Sequence, residues 1–473
     1  MLLPVHEHSH VNAQMPPQLS SQIQSIQGVR LANKPSTWDI QIEYSANKGT
    51  VTSVTPHESE LAESPLALPA LTHPHIHLDK AFIHSEPEYA QFLPETGTFQ
   101  EALSSTTKAK QQFNHSDILK RGEWLLAESV ASGVTAMRAF VEVDHTVQLN
   151  CLEAGVMLKN QWAESCNIQI VCFAQDPVFS GEFGEQNMGF VEEALKQFSQ
   201  IDVIGTTPYV ESDMDAAKRN IDWAIDRALL LDKHVDFHLD YNLDPNKEAL
   251  VWHVIQTLKT RGWTTDSTNK RVMLGHCSRL TLLTEDEWVH LATEIHENSL
   301  AVSFVGLPTS DIYMASSATN SRPQDRPRGT LQVLEMIRKY NLDAVMGVNN
   351  VGNSFTPWGL PDPLSLACLG VGVYQAGSQA DAELLYECVS TRARAAIGLE
   401  SQSSLCIQEG CRPDLLLVQH RDETGCGVSR PRTNVAEVVW TPPEKVNRDV
   451  VSGGRLKISP FVRADSGTLY QYS

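Results

Sequence analysis

The chain is poor in positive charge. It has 37 Lys and Arg against 57 Asp and Glu in 473 residues, a formal net charge of −20. A surface this acidic repels phosphate backbones and anionic bilayers, so neither nucleic acid nor membrane is an expected partner. Long apolar runs are also missing. No stretch approaches the roughly 18–20 residues that a membrane-spanning helix needs. No two of the nine cysteines stand at C-x-x-C spacing, and their number is odd. This argues against a disulfide framework and for a reducing compartment. The N-terminal stretch MLLPVHEHSHVNAQ has no basic start and only a short apolar run, unlike a secretory signal. A soluble cytoplasmic protein is expected, with self-association into a homo-oligomer left open.

Hydrophobic residues make up 41% of the chain, enough for a large core. Between residues 133 and 358, short β-rich runs alternate with longer segments of helical spacing. The runs are GVTAMRAFVEV, NIQIVCFAQ, DVIGTTPYV, KHVDFHLDY, RVMLGHCS, SLAVSFVGLP and LDAVMGVNNV. In DAAKRNIDWAIDRALLLD, Ile221, Ala224, Ile225, Ala228 and Leu229 mark one helical face, and Asp213 is placed to cap it. With ALPALTHPHIH as the first strand, the count reaches eight, the pattern of an α/β fold, a (β/α)8 TIM barrel, over residues 67–399. A doubly wound open sheet is the alternative, but no Gly-rich dinucleotide loop supports it. Residues 22–66 and 400–470 read as short strands, AEVVWT among them, and are expected to form a small β-sandwich domain from both chain ends. Residues 1–21 are expected to be a flexible tail.

Histidine spacing alone decides little, because H-x-H occurs in the HEHSH head as well as in LTHPHIHLDK. Position along the barrel is more telling, since chemistry sits at the C-terminal ends of barrel strands. His75 and His77 end the first strand, and residues two apart on a strand share a side. Gln175 ends the third strand, His238 the fifth, His276 the sixth and Asn349 the eighth. His73 shares the strand but lies deeper, and is expected to be a hydrogen-bonded structural residue.

These segments resemble the amidohydrolase superfamily, in particular its cytosine deaminase-like branch with the ammelide amidohydrolases. PHIHLDK, FAQD, VIGTTPYVE, VDFHLD, GHCSRL, FVGLP, RPRGT and GVNNVGNSFTPWG follow that branch's order over roughly residues 28–458. The resemblance implies one divalent metal ion, zinc or iron, on His75, His77 and His238, with a fourth ligand at position 349. Neutral imidazoles suit such an ion, and an open position lets it bind water and lower its pKa. It further implies that His276 polarises or deprotonates the water, that Lys80 sits in the site and that Gln175 holds a substrate ring by its amide edge. Phe355 and Trp358 can pack on a planar ring, and Arg328 can bind an anionic or carbonyl group.

The chain departs from the resemblance at two points. Asn349 stands where active relatives carry Asp, and an amide cannot take up a proton at neutral pH. Tyr241 stands where deaminating members place Glu. Asp240 and Asp244 are candidate substitutes for the missing acid, and Asp79 is more at home in a loop contact. Two functions follow. One is a metal-dependent hydrolase that cleaves a non-peptide C–N bond of a cyclic amide, amidine or amino-heterocycle. The other is a catalytically impaired protein that binds a small ligand or a partner.

Overall fold

The computed structural model describes residues 16–46, 48–58, 64–314, 329–457 and 469–472. Eight parallel strands form the barrel. Ahead of them in the chain come β1 (Leu19–Leu31), β2 (Trp38–Ser45), β3 (Lys48–Pro56) and β4 (Leu66–Pro69). The barrel strands are β5 (Leu71–His77), β6 (Val134–Glu142), β7 (Asn167–Ala174), β8 (Ile201–Thr206), β9 (His234–Leu239), β10 (Val272–His276), β11 (Val302–Gly306) and β12 (Ala344–Met346). They pair in sequence order. The ring closes where Asn349 bridges Ile76 in parallel register. The His77 N–H donates to the Asn349 carbonyl (2.8 Å), and the Asn349 N–H donates to the His75 carbonyl (3.1 Å).

Helices follow the strands as the spacing predicts. Met214–Leu231 is capped by Asp213, which accepts from the Ala216 N–H at 2.8 Å. Its buried face holds Ile221, Ala224, Ile225 and Ala228, while Leu229 is 38% exposed. At 100° per residue Leu229 stands about 80° around the helix from Ile221, at the edge of the stripe.

The remaining strands are β13 (Leu415–Val418), β14 (Arg448–Ser452), β15 (Arg455–Lys457) and β16 (Tyr470–Tyr472). They join β1–β4 in one sheet that curls until β15 pairs with β1. Two sets of pairings share β1, one with β4, β13, β14 and β15 and the other with β2, β3 and β16. The sharing is possible because β1 is thirteen residues long and its register shifts let it pair with β15, β16, β2 and β4 in turn. It begins at Leu19, inside the segment expected to be a tail. Gly453 and Gly454, both at positive φ, make the two-residue hairpin between β14 and β15.

Two local expectations are corrected. ALPALTHPHIH is not one strand: Leu66–Pro69 pairs with β13 and β1 in the small sheet, and only Leu71–His77 enters the barrel. AEVVWT is not a strand either, because Val435–Trp440 is helical. Asn434 caps it by accepting from the Glu437 N–H at 3.0 Å, and Val435, Ala436, Val438 and Val439 are buried in the barrel core cluster.

One buried ion pair ties the sheet to the barrel helices. Arg448 on β14 donates to both carboxylate oxygens of Asp362 (2.9 Å each), to the Ser132 carbonyl (2.9 Å) and to the Pro443 carbonyl (2.8 Å). Asp362 also caps the helix Pro363–Val373. Removing one partner leaves an uncompensated buried charge. Arg448→Met is expected to cost about 3–5 kcal/mol, read by chemical denaturation.

A pH dependence follows from His234 at the N-terminal end of β9. Its Nδ1 accepts from the Arg271 N–H at 2.9 Å. Burial, aided by nearby Arg138, holds its pKa down to about 2, from an ordinary value of 6.5. The unfolded chain takes up this proton as pH falls below 6.5 while the folded chain does not, so stability is lost toward acid. His234→Asn retains an acceptor without the proton. Its stability is expected to fall less steeply between pH 6.5 and 4 than that of the native protein.

Candidate active site

His75, His77 and His238 converge at the C-terminal mouth of the barrel, with their ligand nitrogens all within 4.8 Å of one another. The way they get there depends on a bulge. Between His73 and Ile76, strand β5 holds one residue more than its partner β6. Pro74 lies in that interval, where a missing N–H costs no ladder bond. An extra residue reverses the alternation of side chains. His73 is thereby separated from the others, and its Nε2 lies 3.2 Å from Ser129 Oγ on the helix His115–Ser132. His73 does not share the inner face of His75 and His77, contrary to simple two-residue alternation.

The three imidazoles are buried and neutral. Burial holds each pKa well below the ordinary histidine value, helped for His77 by the Lys80 charge and for His238 by the neighbouring rings. Both ring nitrogens of His75, Nδ1 of His77 and Nδ1 of His238 have no hydrogen-bond partner. Nε2 of His77 and Nε2 of His238 stand 3.1 Å apart. Two ligands about 2.0–2.1 Å from a tetrahedral ion lie about 3.3 Å apart, so the pair is close to coordinating geometry. Asn349 Oδ1 is also buried without a partner, while its Nδ2 donates to Ser310 Oγ at 2.8 Å. Three neutral imidazoles and an amide oxygen with no hydrogen to accept fit a divalent cation.

Behind His75 lies Asp236, whose Oδ1 is 3.7 Å from His75 Nδ1 and whose Oδ2 accepts from Arg138 at 3.3 Å. Burial lifts the Asp236 pKa to about 7 against the pull of Arg138.

His276 turns its Nδ1 to Asp311 Oδ1, 2.8 Å away, and stacks on Tyr241 with ring centroids 3.9 Å apart. Burial pushes the Tyr241 phenol well above its ordinary value. His276, Cys277 and Asn349 have φ of 64°, 47° and 67°, uncommon for non-glycine residues. Such left-handed residues persist where the surroundings over-determine them, and here they sit at the barrel mouth.

Lys80 lines the same pocket. Arg121 fixes its loop by donating to the Asp79 and Ala81 carbonyls. Lys80 Nζ pairs with Glu142 Oε1 (2.6 Å) and lies 3.4 Å from Gln175 Oε1. Glu142 Oε2 meets Lys110 at 2.6 Å. Burial raises the Glu142 pKa, but Lys110 and Lys80 outweigh it and hold the carboxyl at about 2. Asp79 accepts from the Glu142 N–H (2.7 Å), and burial plus the Glu142 charge lift it to about 6.

The pocket is small and partly open, lined by His77, Lys80, Gln175, Tyr209, His238, Tyr241, His276, Ser310, Asn349, Asn350 and Phe355. It thus brings together most of the residues expected from sequence. Trp358 is not among them. It follows the turn Asn353–Thr356 and is 46% exposed, carried outward ahead of Gly359 at φ 92°. Arg328 lies outside the described residues. Asp240 is turned away to accept from the Leu250 and Val251 N–H groups, and Asp244 folds onto Asn246. Neither replaces the acid missing at 349.

Ser310, Asp311 and Lys110 were not singled out by sequence, because none ends a strand. A larger, open cavity of about 600 Å³ is lined by Pro69 and Thr135 of the strands and by Arg394 and Arg412. Asp414 already pairs with both arginines. A second acid and histidine group, Asp144, His145 and Asp176, is likewise already met by Lys110, which pairs with both carboxylates.

No protein-family model and no curated relative matches the chain. Solved structures do match. 5-Methylcytosine deaminase from Klebsiella pneumoniae, liganded with 5-fluorocytosine, aligns with TM-score 0.76 at 19% identity, over 93% of this chain and 98% of that one. N-isopropylammelide isopropylaminohydrolase from Burkholderia multivorans aligns with TM-score 0.67 at 22% identity, over 91% and 97%. Atrazine chlorohydrolase TrzN from Arthrobacter aurescens, complexed with zinc, aligns with TM-score 0.62 at 15% identity, over 93% and 96%. Over nearly its whole length, this chain has the fold of these structures: a (β/α)8 barrel with a small β domain.

Proposed function

We propose that the chain is a metal-dependent hydrolase that cleaves a non-peptide C–N bond of a small nitrogen heterocycle or cyclic amide. The observation that carries this reading is the cluster of three buried, neutral imidazoles, two of which line a small pocket. A divalent ion, zinc or iron, on His75, His77 and His238, with the Asn349 oxygen beside them, supplies Lewis acidity and acidifies water.

The remaining work falls to the side chains. Tyr241 and Phe355 offer flat faces to a ring. Gln175 and Asn350 present amides that match an amide edge. Lys80, held by Glu142, directs positive charge toward an exocyclic oxygen. His276 can hydrogen-bond a developing oxyanion or accept a proton. No carboxylate lines the pocket among the described residues, which favours neutral, carbonyl-bearing rings over cations.

A second reading, ligand binding without turnover, is favoured by Asn349, whose amide cannot take up a proton at neutral pH. The substitution Asn349→Asp separates the two. On the hydrolase reading the native protein releases ammonia or amine from at least one member of a heterocycle panel at high enzyme concentration. Release only by Asn349→Asp, with none from the native chain, decides for binding alone.

The metal is tested independently. The purified protein, incubated with zinc and desalted, is expected to retain about one ion per chain by elemental analysis. His238→Ala is expected to weaken this at least tenfold, since it removes one of three nitrogen ligands. Equal retention by both would count against the site.

A further inference from the structure

Asp311 touches no pocket surface, yet it is fully buried and bonded to a pocket residue. Its two oxygens are used differently. Oδ2 accepts from the Leu307 N–H (3.2 Å) and from Thr330 Oγ1 (2.7 Å). Oδ1 faces His276 Nδ1 at 2.8 Å. A carboxylate only accepts hydrogen bonds, so Nδ1 must carry the hydrogen. The other nitrogen, Nε2, is then a bare lone pair on the pocket side of the ring.

The neighbouring residues hold this arrangement in place. Thr309 Oγ1 donates to the Val348 carbonyl (2.9 Å). Ser310 Oγ accepts from Asn349 Nδ2 (2.8 Å) and is 2.6 Å from Thr356 Oγ1. Tyr241 stacks on a face of the His276 ring and donates to the Ser310 carbonyl (3.3 Å). Three consecutive residues after β11 thus fix the histidine that ends β10 and the amide that follows β12 together.

We propose that Asp311 is a positioning residue that locks His276 in its Nδ1–H tautomer. His276 Nε2 then serves as the proton acceptor that the amide at 349 cannot be. The missing acid of the barrel's last strand is replaced from behind, by a carboxylate acting through an imidazole. Its kinetic consequence rests on the hydrolase reading above; the tautomer does not.

The informative variant is Asp311→Asn. Two donors, Leu307 N–H and Thr330 Oγ1, will claim the amide oxygen. The amide NH2 then faces His276 Nδ1 and forces hydrogen onto Nε2, reversing the donor and acceptor edges of the ring. The test uses the full chain loaded with zinc, with 15N-labelled histidine, and reads long-range 15N–1H spectra. The His276 signal is assigned by its loss in His276→Gln.

The native protein is expected to show Nδ1–H, and Asp311→Asn to show Nε2–H. With a substrate from the panel, kcat of Asp311→Asn is expected to fall about 10²–10⁴-fold with KM little changed. Thr330→Val, which leaves Oδ1 untouched, is expected to keep the native tautomer and rate. Nε2–H in the native spectrum overturns the assignment, and so does a switched tautomer with an unchanged rate. If Asp311→Asn does not fold, the native and Thr330→Val spectra still decide the tautomer. If no heterocycle is turned over while native Nδ1–H is seen, the hydrolase reading fails and the tautomer lock stands.

Discussion

The closure of the barrel is the constraint on which the site depends. His77 N–H to Asn349 O and Asn349 N–H to His75 O are the hydrogen bonds that join the first barrel strand to the segment after the last. Backbone groups buried this deeply must be paired. The seam therefore cannot slip without leaving several groups unpaired, and a slip would also turn side chains to the opposite face. The same residues that close the barrel carry two of the three imidazoles and the amide. Site geometry and fold topology are set by one group of bonds.

That seam brings three polar side chains into a buried interior beside His238, and the electrostatics follow from it. Burial makes the imidazoles of His75, His77 and His238 neutral. Charge is admitted only as balanced groups around them. Lys80 and Lys110 share Glu142, and Arg138 faces Asp236. Breaking such a pair is costly because the surviving charge has no water to turn to. Glu142 thus connects pocket to scaffold: it anchors Lys80 from outside the cavity, while Asp79 accepts its backbone N–H.

The sequence made the barrel and its rim legible because strand-end histidines in apolar runs have few other reasons to sit there. Three things escaped it, each for a physical reason. The bulge at Pro74 reverses the parity of strand β5, and period-two reasoning assumes that parity is unbroken. AEVVWT has β-branched residues that suit a strand, but the Asn434 cap and an apolar face toward the barrel made it a helix. Asp311 sits in LPTSDIYM, on the helix Pro308–Met314 rather than at a strand end. Its partners Thr330 and His276 are 19 and 35 residues away. A buried carboxylate announces itself through its partners, and those are visible only after folding.

The position of negative charge distinguishes this site from one with a carboxylate at 349. Attraction between ion and ligand falls with distance and with intervening dipoles. A carboxylate in direct contact would bind a cation tightly and neutralise part of its charge. A neutral set of three imidazoles and an amide would hold the ion less tightly and leave more of its charge to act on a carbonyl or on water. The carboxylate of Asp311 stands one imidazole further back, bonded to His276. It can stabilise positive charge arising on that ring without competing for the cation. On the proposed reading, the arrangement would separate two tasks, holding an ion and receiving a proton, that a single carboxylate at 349 would have to combine. The bonds of Thr309, Ser310 and Asp311 to Val348, Asn349 and His276 keep the two halves in register.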